Sequence, residues 1–238
     1  MWTELRALRT VPAYRRAIAL SIAFSGFLAI SYLGLKDLAT TTDEDARSAL
    51  SSGAVAGFVA VVYAAASAGG EIARGGLALA LLCGEERRRA VLDRLLAYTF
   101  AGAMVGLAGG LAAGALSYIL LGFGGAHLPG PGPFVIRVLG AVVDGACMAA
   151  VGAAVGLALR SPAAAVITVL VVLLALDPFA SGLSTEIARW GPGGAAGSIT
   201  RSGADDLPPA FAGGLALLAY ALILGALANA LTARRDVP

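Results

Sequence analysis

The residues that could carry catalytic chemistry in this 238-residue chain are few and scattered. His127 is the only histidine and lies among Gly and Pro residues, so neither a pair of histidine metal ligands nor a Ser-His-Asp triad can form within one chain. Glu85 and Glu86 are adjacent acids, but a di-glutamate intramembrane protease needs further histidines. No GxxxxGK[ST] phosphate-binding loop is present. We therefore expect neither an enzyme nor an ATPase site in this chain, and no metal site or cofactor of its own.

Asp144 is the most unusual polar residue, because it lies deep inside an apolar run. An ionised carboxylate at the centre of a membrane helix costs about 2.5–3.5 kcal/mol on insertion scales, so such a residue is usually partnered or functional. Three interpretations remain open: a structural hydrogen-bonding role, a pathway for a solute or protons, and a shallower position in the membrane. Residues at helical spacing on the same face are Gly140, Met148, Gly152 and Gly156.

A ladder of glycines predicts close helix packing in the third apolar run. Gly102, Gly106, Gly110 and Gly114 recur at every fourth position and expose a groove of backbone along one helix face. Gly152 and Gly156 repeat the pattern in the fourth run. These grooves favour contacts within one subunit, with an interface between subunits as the alternative.

The elements that position these residues are predicted to be membrane-spanning helices. Hydrophobic residues make up 58% of the chain, charged residues only 13%, and the mean hydropathy is +0.84. About 20 apolar residues are needed to cross a bilayer as a helix, and the continuous runs lack the alternation of a β-barrel. We expect an all-α polytopic membrane protein, a single transmembrane domain with six spans at about 17–35, 53–69, 95–121, 134–159, 163–179 and 210–231.

The flanking segments have their own expectations. Residues 1–16 are either a helix in the membrane interface or a plain basic tail. Residues 180–209 are too long for a simple turn and are predicted to hold short helices in the outer leaflet. Lys and Arg number 12 on the side of both termini and 5 on the other side, which predicts cytoplasmic termini. The net charge of +2 is too small to indicate nucleic acid. Cys83 and Cys147 are expected to be reduced.

The segment between the second and third spans, residues 71–94, resembles a known family. Glu71-Ile72-Ala73-Arg74-Gly75-Gly76-Leu77 is similar to the opening of the cytoplasmic loop in bacterial type 2 (ABC-2) exporter permeases. Leu81, Leu82, the arginines from Arg87 to Arg89 and Asp93-Arg94-Leu95-Leu96-Ala97 resemble its continuation, although Cys83-Gly84-Glu85-Glu86 stands where the family often has a proline. Further similar stretches are residues 5–10, 156–165, 190–196 and 234–237.

The resemblance implies the transmembrane domain of a type 2 ABC exporter in a bacterial plasma membrane. Its partners would be a second permease copy and two ATPase subunits that bind ATP and Mg²⁺, with membrane lipid around it. The cargo would be an amphiphilic drug, lipid, peptide or glycan, moved outward by alternating access. The loop would dock into the ATPase through apolar anchors and rim charges. The docking residues would be Glu71, Arg74, Gly75, Leu77, Leu79, Leu81, Leu82, Cys83, Glu85, Glu86 and Arg87.

Two other functions remain compatible with the sequence. A transporter or channel that needs no ATPase would use Asp144 for ions or protons, although no clear inverted repeat is visible. A membrane scaffold or immunity protein would bind a partner without moving anything. The 71–94 segment would then be an ordinary solvated loop that fixes topology.

Overall fold

The computed structural model describes residues 12–34, 48–76, 82, 86–123, 130–200 and 207–234. All regular elements in these ranges are helices, which confirms the all-α class. Six of them are long and apolar enough to cross a membrane, as expected for a multi-pass membrane protein. These candidate spans are Pro12–Gly34, Ser48–Ala73, Arg88–Phe123, Pro131–Leu159, Pro162–Ala180 and Ala210–Leu231.

Nine α-helices make up the described chain. They are α1 (Pro12–Gly34), α2 (Val55–Ala73), α3 (Arg87–Phe123), α4 (Pro131–Leu159), α5 (Pro162–Val171), α6 (Asp177–Leu183), α7 (Thr185–Trp190), α8 (Pro192–Thr200) and α9 (Ala210–Arg234). A short 3₁₀ helix, Ser51–Ala54, leads into α2, and a π-helical turn, Val172–Leu176, joins α5 to α6.

The helices extend beyond the spans predicted from hydropathy. Helix α3 begins at Arg87, eight residues before the expected start of the third span. Arginine is a good helix former, so the basic cluster continues the helix although hydropathy excludes it from the span. Helix α1 is described from Pro12 onward, five residues before the expected start of the first span. The remainder of the 1–16 segment lies outside the described residues.

The residues 180–209, predicted as an outer loop with short helices, are helical over most of their described part. They contain the end of α6, then α7 and α8. Helix α8 packs against α9 and α4, and α7 packs against α6 and α8. A polar segment that folds back as short packed helices satisfies its own backbone hydrogen bonds near the membrane.

The corner between α4 and α5 is built from three consecutive residues. Arg160 takes a left-handed conformation with φ of 55° and donates its N–H to the Gly156 carbonyl at 3.0 Å, which ends α4. The Ser161 hydroxyl then accepts from the Ala164 N–H at 3.4 Å, and Pro162 is the first residue of α5. This tight corner makes α4 and α5 adjacent antiparallel helices.

Helix α4 is the centre of the bundle. It packs extensively against α2 and α3 and also against α9, α8 and α5. Helices α5 and α9 are mostly exposed along their spans, whereas most of α2 and α4 is buried. The interior around α4 is formed largely by Ala and Gly, which let helix backbones approach closely.

The loop end of the bundle is where α2 ends and α3 begins, and the opposite end is where α3 ends and α4 begins.

Candidate functional site

A polar cluster holds the two ends of the 71–94 segment together at the loop end. Arg94 of α3 donates from Nε to Oε1 of Glu71 in α2 at 2.6 Å, and the Tyr98 hydroxyl donates to Oε2 of Glu71 at 3.1 Å. Arg94 also donates from Nη2 to the Gly76 carbonyl at 3.1 Å and from Nη1 to the Ala90 carbonyl at 3.0 Å. We call Glu71, Arg94, Tyr98 and the Gly76 carbonyl the loop-base cluster.

The loop-base cluster is shielded from solvent. The side chain of Arg94 is 5% exposed and that of Glu71 is 27% exposed. Charge-assisted hydrogen bonds are strong in such surroundings, and loss of one partner leaves the other charge poorly compensated. The cluster therefore fixes the end of α2, the turn at Gly76 and the first turns of α3 as one unit.

The turn after α2 depends on one glycine. Gly75 has φ of 77°, the left-handed region that favours glycine, and its N–H donates to the Ile72 carbonyl at 2.9 Å. This is the usual way for a helix to end at a glycine. The neighbouring Arg74 is exposed, so the chain leaves α2 with a positive charge on its surface.

Some of the predicted docking residues can be placed and others cannot. Leu82 is 85% exposed, and Glu86 is also exposed just before α3. The Glu71 carboxylate, by contrast, accepts hydrogen bonds from Arg94 and Tyr98 and is not fully exposed. Leu77, Leu79, Leu81, Cys83 and Glu85 lie outside the described residues, as does the side chain of Arg87.

An aromatic row continues from the loop-base cluster into the bundle. The rings of Tyr98 and Tyr63 lie edge to face with centroids 6.3 Å apart, and Tyr63 and Tyr14 are 6.0 Å apart. Such pairs connect α3, α2 and α1 at one level. Tyr98 is buried and Tyr14 half-buried, so the row lies inside the bundle.

Asp144 lies in the middle of the bundle. It is the fourteenth residue of the 29-residue helix α4 and is only 1% exposed. Its carboxylate fills the space beside Gly57 of α2, where any Cβ would overlap it. Among the described residues Oδ1 has no hydrogen-bond partner. Asp144 therefore lies near the middle of its candidate span, and this position does not decide its function.

The glycine ladder of α3 lies against α4. A Cβ at Gly102, Gly106 or Gly110 would meet α4 backbone or alanine side chains, and a Cβ at Gly114 would meet the Phe134 ring. Gly152 and Gly156 of α4 lie in the same way against the backbone of α2. The ladders thus join α2, α3 and α4 within one chain.

An apolar groove of about 380 Å³ runs between α1 and α2. Among the described lining residues only Arg16, near the start of α1, is charged. The lining residues are Ala13, Arg16, Ala17, Leu20, Phe24, Val55, Phe58, Val59, Val62, Tyr63 and Leu170. The groove suits an apolar chain or ring more than a polar solute.

Sequence reasoning missed the partners within these sites. Glu71 and Arg94 are 23 positions apart, and Gly57 and Asp144 belong to different spans, so no local pattern pairs them. The available signals were only the unusual presence of a carboxylate in a span and of small residues in α2. Within the described ranges no group of three or more His, Cys, Asp or Glu side chains could hold a metal ion.

The described residues form a helical multi-pass membrane protein. At one end Glu71 and Arg94 join α2 to α3, and at the centre lies the buried carboxyl group of Asp144. No protein-family model matches the chain, and no curated protein matches it as a relative.

Proposed function

We propose that this chain is the membrane-spanning subunit of an ATP-driven bacterial exporter. It lies in the plasma membrane with both termini in the cytoplasm and pairs with a second permease copy and two ATPase subunits. Support comes from the resemblance of residues 71–97 to type 2 ABC permeases and from the six candidate spans. The excess of Lys and Arg on the side of the loop end supports the orientation.

The loop-base cluster is the observation that carries this proposal. A docking segment can move the membrane-spanning helices only if its own ends are held rigidly to them. Here Arg94 binds both Glu71 at the end of α2 and the Gly76 carbonyl at the start of the segment. A displacement of the segment by an ATPase is therefore passed to α2 and α3 together, and from them to α4 through the glycine contacts.

The cargo class is supported by the apolar groove between α1 and α2. Its lining offers hydrophobic side chains with Arg16 at one end, which suits an amphiphile with an apolar body. Drugs, lipids, peptides and glycan conjugates of this character all remain candidates.

The first test is purification of the tagged chain from its native membrane in mild detergent. We expect an ATP-binding subunit to copurify in equal amount, with ATP hydrolysis in the purified complex. A chain that purifies without any ATP-binding protein, and with its fold intact by circular dichroism, contradicts the proposal.

The second test asks whether the loop-base cluster couples the subunits. Glu71→Gln removes the ion pair to Arg94 and should reduce the ATP hydrolysis that depends on the complex, while the subunits still copurify. Glu186→Gln is the matched control, because Glu186 pairs with Arg189 at 3.5 Å on the exposed surface. Exposed pairs contribute little, so this control should hydrolyse ATP at the unmodified rate. Equal rates for both variants refute the coupling role.

A second candidate function is a transporter or channel that works without an ATPase. The buried Asp144 with its unpartnered Oδ1 favours it. Ion or proton flux through the purified chain in liposomes without ATP, lost in Asp144→Asn, would favour this alternative over the exporter. A stable complex with a partner but no transport of any kind would instead indicate a scaffold or immunity protein.

A further inference from the structure

We propose that Asp144 is a proton-binding site: its carboxyl group holds a proton while α2, α3 and α4 are packed together, and releases it when these helices separate. This proposal does not depend on whether an ATPase drives the protein. It rests on where the carboxyl lies and on what surrounds it.

The position excludes water from the carboxyl group. Asp144 is about 20 Å along α4 from its first residue, since each residue adds 1.5 Å, and 1% of it is exposed. An isolated ionised carboxylate in such a place is strongly unfavourable, and groups of this kind become neutral. Neutralisation requires either a cationic partner or a proton.

The described surroundings supply no cationic partner. On α2 the contact is Gly57, and on the α3 side Gly102 and Gly106 lie against the α4 backbone at Gly145 and Ala141. Helix α8 contains no titratable residue. On α4 itself Cys147 is one turn away, and Arg137 is about 10 Å earlier along the axis, where its Nη1 donates to the Thr200 carbonyl at 2.6 Å.

The surroundings also argue against a bound metal ion. A cation such as Ca²⁺ or Mg²⁺ needs six or more oxygen ligands, and a transition metal needs several His, Cys or carboxylate ligands. Among the described residues, no group of three or more His, Cys, Asp or Glu side chains is found that could hold a metal ion around Asp144. One proton is enough to neutralise one carboxylate, so the proton is the ligand that fits.

Gly57 makes the proton site sensitive to helix packing. The carboxyl occupies the place that a side chain at position 57 would take, so α2 itself closes the site. Separation of α2 from α4 by the width of a water molecule would make room for water beside the carboxyl group. Opening of the bundle would thus release one proton per chain.

The state of the carboxyl can be read from infrared spectra of the full-length protein in lipid nanodiscs at neutral pH. The spectrum of the unmodified protein minus that of Asp144→Asn should contain the C=O stretch of a carboxylic acid. The matched control is Glu186→Gln, which removes an exposed carboxyl group that pairs with Arg189. An Asp144 difference spectrum that contains only carboxylate bands overturns the proposal.

Two further measurements are made. The first uses the unmodified protein, so it applies even if Asp144→Asn fails to fold, and the second tests whether proton binding depends on helix packing. In the unmodified protein, ¹³C-carboxyl labelling of aspartate should give one protonated signal at neutral pH, and its absence also overturns the proposal. If the proton is bound only in the packed state, raising the pH increases the unfolding equilibrium constant by up to about tenfold per pH unit relative to Asp144→Asn. Parallel pH profiles for the two proteins refute the linkage.

Discussion

Gly156→Ala is the substitution whose effect follows most directly from the packing of α4 on α2. A Cβ at this position would lie 2.6 Å from the Ala65 carbonyl oxygen and 2.8 Å from the Gly69 nitrogen, whereas ordinary contacts begin near 3.4 Å. Both atoms belong to the backbone, so no side-chain rotation can make room. The two helices must instead separate locally by about 0.8 Å, a gap that forfeits a quarter to a half of the nearby dispersion energy.

The expected magnitude is a net loss of about 1–2 kcal/mol in the free energy of unfolding. Overpacking costs about 1–3 kcal/mol, and the better helix propensity of alanine returns at most about 1 kcal/mol. The control is Gly214→Ala in α9, where the added Cβ meets only the Ile199 Cδ1 atom at 4.0 Å. This control should be neutral or slightly stabilising.

Unfolding in mixed micelles, followed by the loss of helical circular dichroism, measures both variants. The unfolding equilibrium constant of Gly156→Ala should rise by about fivefold to thirtyfold. If Gly156→Ala is as stable as Gly214→Ala, α2 and α4 do not approach each other in the way described, and the packing account is wrong.

Three smaller predictions can be measured in the same unfolding assay. Arg94→Ala should lower the free energy of unfolding by about 1–3 kcal/mol, because a largely buried ion pair is lost. Arg189→Ala, which removes an exposed ion pair, should lower it by less than about 1 kcal/mol. Equal losses would contradict the role given to the loop-base cluster. Gly75→Ala should cost about 1–2 kcal/mol because alanine disfavours φ of 77°, and an unchanged stability would mean that this turn is not left-handed. Ser161→Ala should cost about 1 kcal/mol through the lost cap of α5, while Ser161→Asp should retain most of the stability.

The all-helical class and the six candidate spans were predictable from sequence because hydropathy is a local property. A run of 20 apolar residues has few alternatives to a membrane helix. Helix ends were less predictable: α3 starts at Arg87 because a basic cluster can be helical without being apolar, and hydropathy alone does not register it.

The candidate sites were predictable only as single residues. Asp144 stood out because a carboxylate is rare in a span, but its neighbour Gly57 carries no signal of its own. The glycine ladder predicted close packing without indicating which helix would fill the groove. Glu71 resembled a docking residue, and its bond to Arg94 became visible only when α2 and α3 were brought together in space.

The central claim, that the 71–94 segment docks an ATPase, is tested most directly by one exposed leucine. Leu82→Arg places a charge on a side chain of the 71–94 segment that is 85% exposed, and Leu183→Arg does the same at the opposite end, where Leu183 is 71% exposed. In the complex purified from native membranes, we predict that Leu82→Arg lowers the ATP hydrolysis rate at least about tenfold, as expected when an interface anchor worth more than about 1.4 kcal/mol is lost. Leu183→Arg should leave the rate unchanged. Unchanged hydrolysis and unchanged copurification in Leu82→Arg would contradict the claim.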